Sequence, residues 1–356
     1  MAEMILPMSS RFLIIGQGLA GTALAWRLHE RGHRFLIVDR DEELTSSKVA
    51  AGLVTPVTGM RLNLNWRYDQ LYPEAVAFYR ALEHRLGEVF YHEVPIVRLL
   101  RDEKAAALWE KRRLQPEVAP YVNDTVSSPL VDEAIFANPH GGFQQQHSGW
   151  LDTAAFLSAS KAYFQSVGAW QVGEVTVDSL TPSASSVLWQ GDSFTTAIYC
   201  TGWEAAHHPW FDWVPFQSAR GTVLNVAADT GGETRIINRG CWLLPRADGS
   251  LRVGPTYELS FDDPNKPSPE VVAGLETKLQ VLLKSPYTIT GSQTGVRPII
   301  KGHHALIGRH PGRPRVAFMN GLGSKGVLRA PWVARQLTEH LLDGAAIEAG
   351  MDLAGD

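Results

Sequence analysis

Cysteine is scarce in this chain: its 356 residues include two, Cys200 and Cys241, which lie 41 positions apart. A small secreted scaffold that is held by disulfides needs more cysteines than this. No C-x-x-C pair occurs, which argues against a cysteine zinc site, and we predict no metal site of any kind. The composition fits a reducing compartment, and we expect a cytoplasmic protein.

Strong charge of either sign is also missing. The net charge is −4 and the pI about 6.3, and neither value indicates a nucleic-acid-binding protein. The apolar run Phe12–Ile15 is broken by Gly16 and is too short to cross a bilayer. The first ten residues have neither the basic region nor the apolar stretch of a signal peptide. We therefore expect a soluble protein with no membrane span and no nucleic-acid partner.

The N-terminal part has the pattern of a strand–turn–helix–strand unit. Residues 12–15 form a short apolar run that is typical of a buried strand. After a glycine-rich turn, apolar residues at helical spacing predict a helix that ends at Gly32. A second apolar run, Phe35–Val38, ends on Asp39. The chain length suggests about two domains, of which this unit would begin the first.

The turn of this unit carries a dinucleotide-binding motif. Residues 16–21 read GQGLAG and match G-x-G-x-x-G. Gly16 permits the tight turn, Gly18 lets the backbone approach a pyrophosphate, and Gly21 allows close helix–strand packing. The helix N-terminus offers free N–H groups to the phosphates. Asp39 follows Gly21 by 18 residues, near the spacing expected for a ribose-binding acid. The motif leaves NAD and FAD both open.

The middle of the chain changes from helical to strand-like patterning. Apolar periodicity predicts helices over 69–86, with Pro73 early in it, and over 152–167, with Asp152 or Thr153 as the cap. Beyond them, short apolar runs separated by Gly, Asp and Asn predict an antiparallel sheet from 220–228, 235–246 and 251–257, with a hairpin turn at 247–249. Residues 260–270 are rich in Asp, Pro and Ser and predict a loop.

The chain then returns to a glycine-rich stretch, GLGSKG at 321–326. A helix follows that ends at Gly344, and Pro331 should lie in or near its first turn. Cofactor signals thus occur at both ends of the chain. We predict a discontinuous cofactor-binding domain (11–80, 145–215 and 290–343), an inserted substrate domain (81–144 and 216–289) and a tail over 344–356.

Four further segments stand out: TSSKVAAGLVTP at 45–56, Cys200-Thr201-Gly202, GVRP at 295–298, and NGLGSKG at 320–326 followed by Ala330-Pro331. They resemble segments of one family, the D-amino-acid-oxidase-like (DAO) flavoenzymes. The resemblance covers roughly residues 11–343. It looks closest to the glycine and sarcosine oxidases and to the FAD module of a bifunctional tRNA wobble-uridine-modifying enzyme.

The resemblance implies an α/β fold with an α+β insert: a Rossmann-like FAD-binding domain and an inserted antiparallel-sheet substrate domain. It implies FAD held non-covalently, since no cysteine follows Cys241. The residues it implies in FAD binding are Gly16, Gln17, Gly18, Leu19, Ala20, Gly21, Asp39, Arg40, Ser46, Ser47, Lys48, Ala51, Gly52, Leu53, Val175, Cys200, Thr201, Gly202, Arg297, Gly321, Leu322, Gly323, Ser324, Lys325 and Gly326.

The resemblance also points to three catalytic candidates. Arg297 would clamp a substrate carboxylate with its planar fork; the alternative is a structural arginine paired to a protein acid. Lys325 would stabilise the reduced flavin near its N1–C2=O edge, or else be a solvated loop residue. Lys48 would help the flavin react with oxygen.

Other side chains stay ambiguous. The pairs His207-His208 and His303-His304 are possible metal ligands by residue type. Adjacent side chains on a strand usually point apart, so we do not expect them to bind a metal. Tyr257, Trp242 and Trp66 could each form a wall of the substrate pocket, and the sequence does not choose among them.

The expected function is FAD-dependent oxidation of a small amine or amino acid of glycine, sarcosine or D-amino-acid type. A hydride would pass to flavin N5 and the resulting imine would hydrolyse, with oxygen or an electron carrier taking the electrons. Three alternatives stay open: a dehydrogenase that serves a carrier, a tRNA-modifying amine oxidase, and a non-catalytic flavoprotein.

Overall fold

A computed structural model of the chain describes residues 11–123, 129–302 and 304–355. Its helices are α1 (Leu19–Glu30), α2 (Ser46–Val49), α3 (Tyr68–Leu86), α4 (Glu103–Arg112), α5 (Thr153–Ser166), α6 (Pro269–Leu282) and α7 (Gly326–Asp343). Its strands are β1 (Arg11–Ile15), β2 (Arg34–Asp39), β3 (Leu53–Val54), β4 (Val57–Thr58), β5 (Asn63–Leu64), β6 (Tyr91–Glu93), β7 (Ile96–Leu99), β8 (Val122–Asn123), β9 (Gly142–Gln145), β10 (Gly149–Leu151), β11 (Trp170–Val172), β12 (Leu180–Pro182), β13 (Val187–Trp189), β14 (Asp192–Phe194), β15 (Thr196–Tyr199), β16 (Ala219–Ala228), β17 (Ile236–Arg239), β18 (Cys241–Pro245), β19 (Ser250–Gly254), β20 (Tyr287–Arg297), β21 (Leu306–His310) and β22 (Arg313–Asn320).

A six-stranded sheet forms the first layer, in the order β11-β2-β1-β15-β22-β21. All neighbours are parallel except β21, which pairs antiparallel with β22. Both faces of this sheet are covered. Phe12 and Ile14 of β1 point into one apolar cluster, and Leu13 and Ile15 point into another. This two-sided burial is the reason why β1 is an uninterrupted apolar run rather than an alternating one.

An eight-stranded sheet forms the second layer, in the order β20-β16-β19-β18-β17-β7-β9-β8. The pairs are antiparallel apart from β17 and β7, which run parallel. These two strands come from distant parts of the chain, so no tight hairpin dictates an antiparallel pairing. The fold is the predicted α/β core with a largely antiparallel insert.

The cap residues place the helices close to where the sequence predicts them. Asp152 accepts a hydrogen bond from the backbone N–H of Ala155 and so caps α5. Gly344 adopts a φ of 69° directly after α7, and Gly32 adopts a φ of 71° shortly after α1. A left-handed residue satisfies the last helical carbonyls, and glycine adopts it without strain.

Several local predictions were wrong or incomplete. Pro331 is the sixth residue of α7 and so lies beyond its first turn. The helix tolerates this because the carbonyl of Val327, which Pro331 leaves without its N–H partner, accepts from the Tyr79 hydroxyl at 2.8 Å. The predicted run 235–246 is a hairpin of β17 and β18 around Gly240. Helices α4 and α6 were missed.

The predicted domain limits stay a prediction, although two features bear on them. Strand β20 crosses the predicted limit at residue 290 and pairs with β16 along its whole length. The predicted tail packs on the first sheet, where Leu353 donates its N–H to the Ile307 carbonyl at 2.7 Å. Among the described residues, no helix has the length and apolar content that crossing a membrane requires.

Candidate active site

A cavity of about 1300 Å³ lies where the two layers meet. The loop between β1 and α1 borders one side of it, and one face of the eight-stranded sheet borders the other. Pockets for single small ligands usually measure about 300–1,000 Å³. The cavity therefore has room for an extended dinucleotide together with a small substrate.

The glycine loop has the geometry that close backbone approach requires. Gly16 has a φ of +99°, and a Cβ there would lie 2.7 Å from the Cys200 carbonyl oxygen. A Cβ at Gly21 would lie 1.9 Å from the Gly16 carbonyl oxygen, so α1 packs directly on its own loop. The first turn of α1 leaves backbone N–H groups without intrahelical partners. These features fit a bound pyrophosphate.

Gln17, the residue at the first variable position of the motif, fixes the loop by hydrogen bonds to α5 and β11. Its side-chain Nε2 donates to the Leu157 carbonyl at 3.1 Å, and its Oε1 accepts from Trp170 Nε1 at 2.7 Å. Its backbone N–H donates to the Asp39 carboxylate at 2.6 Å. The motif thus connects α1 to α5 and β11, which its local pattern did not reveal.

Asp39 stands at the end of β2, where the ribose-binding acid is expected. It accepts backbone N–H groups from Gln17 and Asp41, and each carboxylate oxygen keeps a further lone pair. Beside it, Arg40 is ion-paired with Glu204 at 2.5 Å and with Glu42 at 3.0 Å. The guanidinium of Arg40 is therefore held among acids at the edge of the cavity.

The 45–53 segment passes along the cavity and is held tightly at three places. The Ser47 hydroxyl accepts from the Leu19 N–H at 3.1 Å. A Cβ at Gly52, whose φ is +72°, would lie 1.9 Å from the Leu151 carbonyl oxygen. The Arg252 guanidinium donates to the carbonyls of Val49 and Ala50 at 2.6 and 3.1 Å.

Lys48 lines the cavity, and its amine is held by two residues of the segment that follows β2. The amine donates to the Glu42 carbonyl and lies 3.9 Å from the Asp41 carboxylate. These partners lie two and three residues after Asp39, so the amine lies at the end of the cavity where Asp39 would bind the ribose. A role for Lys48 in oxygen chemistry stays a prediction.

The C-terminal loop brings Lys325 to the same cavity. Its ammonium donates to the Thr58 hydroxyl at 3.2 Å. Burial, together with the nearby charge of Arg329, lowers the pKa of Lys325 to about 8. The loop is fixed by Asn320, whose side chain donates to the Gly202 carbonyl at 2.7 Å. A half-buried amine of this kind changes charge within the physiological range.

Arg297 lies at the end of β20 against the backbone of β16. A Cβ at Gly221 would lie 2.0 Å from its Nη2, so glycine is what leaves space for the guanidinium. The guanidinium donates to the Thr256 carbonyl at 3.3 Å, and the Tyr257 ring lies 5.9 Å away. Burial lowers the pKa of Arg297. Among the described residues, no carboxylate pairs with it.

The structure brings most of the predicted residues together. All predicted cofactor-binding residues line the cavity except Gly21 and Gly321. Those two act through packing, since a Cβ at Gly321 would lie 2.5 Å from the Ile300 side chain. Tyr257 and Trp242 line the cavity, whereas Trp66 stacks on the His304 ring at 4.2 Å.

No group of three or more metal-ligating side chains occurs in the part of the chain that the structure describes. His208 borders the cavity and accepts from the Trp210 N–H at 3.2 Å. His303 lies outside the described residues.

Sequence reasoning missed the side chains that the eight-stranded sheet contributes. Arg98, Asn238 and Gln293 line the cavity from three different strands. None of them belongs to a local motif, because the strands that carry them become neighbours only when the sheet forms. Lys161 of α5 and Trp203, which directly follows Gly202, also line the cavity.

The sequence and the fold were each compared with those of known proteins, and both comparisons found oxidoreductases. The chain is 24% identical to the uncharacterized oxidoreductase YurR of Bacillus subtilis, over 93% of this chain and 94% of that protein. It is 23% identical to the bifunctional protein MnmC of Azoarcus sp., named for tRNA 5-methylaminomethyl-2-thiouridine biosynthesis. That match covers 96% of this chain and 58% of MnmC, so the chain spans little more than half of it.

Among solved structures, the fold is similar to iminodiacetate oxidase from Chelativorans sp., with a TM-score of 0.74 at 20% identity over 95% of this chain and 97% of that one. It is also similar to glycine oxidase from Geobacillus kaustophilus, with a TM-score of 0.73 at 19% identity over 97% and 98%. The sequence model of the DAO family, described as FAD dependent oxidoreductase, matches residues 11–340. With a cavity that fits FAD and a family match over almost its whole length, the chain belongs to the DAO family of FAD-dependent oxidoreductases.

Proposed function

We propose that this enzyme oxidises a small amino acid or N-substituted amino acid of glycine, sarcosine or D-amino-acid type. The observation that carries the proposal is Arg297, a deeply placed guanidinium that lines the FAD cavity without an acidic partner among the described residues. A buried cation is costly unless an anion compensates it. The missing anion is then supplied by the substrate's carboxylate.

A second arginine on the neighbouring strand shows what a structural arginine looks like here. Arg220 is almost fully buried and forms a bidentate pair with Glu258, at 2.5 and 3.2 Å. It also donates to the carbonyls of Asp263 and Lys266. Among the described residues, Arg297 donates to the Thr256 carbonyl at 3.3 Å and has no acidic partner. The chain pairs Arg220 with an acid and leaves Arg297 available to a planar carboxylate.

The proposed reaction is a two-electron oxidation of the carbon–nitrogen bond. When bound, FAD accepts the hydride that leaves the carbon next to the amine. The nitrogen lone pair forms the second bond of an imine, and water then converts this to a carbonyl compound and a free amine. Arg297 holds the carboxylate and thereby fixes which carbon faces the cofactor. Lys325 supplies positive charge from the loop at 322–326, which lines the same cavity.

The proposal is tested by an anaerobic screen in which flavin bleaching is followed at fixed concentrations of small amines. Glycine, sarcosine and D-alanine are compared with methylamine, dimethylamine and ethylamine, which lack the carboxylate. The compounds form three pairs that differ by the carboxylate: glycine and methylamine, sarcosine and dimethylamine, D-alanine and ethylamine. In at least one pair we expect the carboxylated compound to bleach the flavin much faster than the amine. Equal rates in every pair would contradict the proposal. Oxygen uptake then distinguishes an oxidase from a dehydrogenase that needs a carrier.

The purified protein is expected to be yellow and to release FAD when it is denatured by acid. Both cysteines of the chain are buried, and burial raises the pKa of each thiol, so neither offers a reactive thiolate to the cofactor. The measurement is the absorbance spectrum of the supernatant after precipitation. Flavin that stays with the precipitated chain would contradict non-covalent binding.

The pH dependence should report on Lys325. Because burial lowers its pKa to about 8, its ammonium is charged below pH 8 and loses its proton above it. Arginine at this position would stay charged throughout. We expect the kcat ratio of wild type to Lys325→Arg to be constant below pH 7 and to fall by about tenfold per pH unit above 8. Using the ratio removes the ionisation of the substrate amine. A flat ratio from pH 6 to 10 would show that the charge of Lys325 has no role.

A further inference from the structure

We propose that Arg98 binds a second anionic group of the substrate, remote from the carboxylate at Arg297, so that the enzyme prefers acidic amino acids to neutral ones. The inference rests on the proposed function, because it extends the substrate that Arg297 holds. It assigns a specificity-determining role to a residue of the eight-stranded sheet that belongs to no cofactor-binding motif.

The alternation of β7 directs Arg98 into the cavity. Ile96 and Arg98 line the cavity, whereas Val97 and Leu99 point to the other face and pack in the core beneath α6. Successive side chains of a strand point to opposite faces, so Arg98 cannot turn to that core without disrupting β7. The neighbouring strand follows the same rule, because Asn238 pairs with Arg98 and also lines the cavity.

The Arg98 guanidinium is under-satisfied. Within the described part of the chain it donates one hydrogen bond, from Nη2 to the Gly59 carbonyl at 2.9 Å. No ion pair involves it within the described ranges, although a guanidinium carries five N–H donors. Burial, and to a lesser extent the charge of Arg101, lowers its pKa to about 10. At neutral pH it is therefore a charged group that lacks an anion.

Acidic side chains line one end of the cavity, and Arg98 lies away from them. The acids that line it belong to residues 39–43, Glu174 and Glu204, around the ribose end. Around Arg98 the lining side chains are neutral or basic, namely Ile96, Gln145, Ile236, Asn238, Met60 and Arg101. An anionic group that enters beside Arg98 thus meets attraction and no opposing carboxylate among the described residues.

The position of Arg98 in the sheet separates it from Arg297. Strands β7 and β20 are five inter-strand steps apart in the sheet order. At about 4.8 Å a step, this is roughly 24 Å between backbones along a flat sheet, which both side chains and the sheet twist shorten. One carboxylate cannot contact both arginines. The second anionic group must lie several bonds from the first, as in a long-chain acidic amino acid or an N-carboxyalkyl or N-phosphonoalkyl glycine.

The experiment measures ligand binding to the FAD-loaded enzyme by calorimetry. The probes are straight-chain dicarboxylates from malonate to azelate and the monocarboxylates of equal length, with an ω-phosphonocarboxylate of the best length as a third arm. We expect at least one dicarboxylate to bind about tenfold or more tightly than its matched monocarboxylate. In Arg98→Gln this ratio should fall to near one, and Arg98→Lys should retain part of it. Arg61→Gln is the matched control, because Arg61 is an exposed neighbour that does not line the cavity.

Each outcome decides the assignment. Absence of a preference at every length, or a preference that survives in Arg98→Gln, would overturn it. Loss of FAD from Arg98→Gln would also overturn it, because Arg98 would then support the cofactor. A stronger preference for the phosphonate identifies phosphate as the natural group, and a stronger preference for the dicarboxylate identifies a second carboxylate. If amines fail to bleach the flavin while the Arg98-dependent ratio holds, the proposed oxidation falls and the anion site stands.

Discussion

Replacement of Arg297 by alanine is expected to lower kcat/KM for an amino-acid substrate by about 30-fold to several-thousand-fold. Removing one partner of a buried, hydrogen-bonded charge pair costs about 2–5 kcal/mol, and this converts directly into that range. In the variant the substrate carboxylate would lose its bidentate guanidinium partner. In the wild type, no acid among the described residues competes for that guanidinium. The measurement is steady-state kinetics with the best substrate of the amine screen, together with the flavin content of each variant.

Two further variants separate substrate binding from folding. Arg297→Lys should recover only part of the activity, because lysine is a point charge without the planar fork. Arg309→Lys is the matched control: the Arg309 guanidinium donates to Thr196 and to the Pro314 carbonyl, and it does not line the cavity. Unchanged turnover of an amino acid by Arg297→Ala would make Arg297 structural and would favour amines without a carboxylate.

Replacement of Gly21 by alanine is expected to abolish FAD retention and to reduce soluble yield severely. The new Cβ would lie 1.9 Å from the Gly16 carbonyl oxygen, which is backbone and cannot turn aside. Either α1 or the loop must move, and both carry the proposed pyrophosphate contacts. Loss of a bound cofactor also removes its contribution to the stability of the native state. Flavin content per chain and the melting temperature measure the two effects.

The comparison with two other glycines sharpens this test. At Gly18 the nearest protein atom to a new Cβ is the Ser47 hydroxyl at 2.9 Å, a side chain that can rotate, so Gly18→Ala should lower the melting temperature less than Gly21→Ala. Gly274 lies within α6 with nothing within 4 Å of its Cβ position. Gly274→Ala should therefore stabilise the protein by up to about 1 kcal/mol. Normal flavin content in Gly21→Ala would contradict the proposed loop geometry.

Local chemistry is what made the cofactor site predictable. The apolar run of β1, the glycines of the loop and Asp39 lie within 29 consecutive residues, and each meets a backbone requirement that few other residues satisfy. The cap at Asp152 and the helix end at Gly344 were predictable for the same reason. A distant partner decided a detail that the local pattern leaves open: Pro331 lies in the second turn of α7, where Tyr79 satisfies the carbonyl that it leaves free.

The sequence by itself determined the α/β class, the glycine loop with its acid, and the candidate residues Arg297 and Lys325. Only the tertiary structure decided that Arg297 lacks an acidic partner among the described residues whereas Arg220 has one, because both arginines stand in similar strands and differ only in what the folded chain places beside them. It also decided that Arg98 and Asn238 share the cavity wall, since β7 and β17 are joined by pairing between segments about 140 residues apart. A binding site for a second anion depends on such long-range pairing, and no local pattern records it.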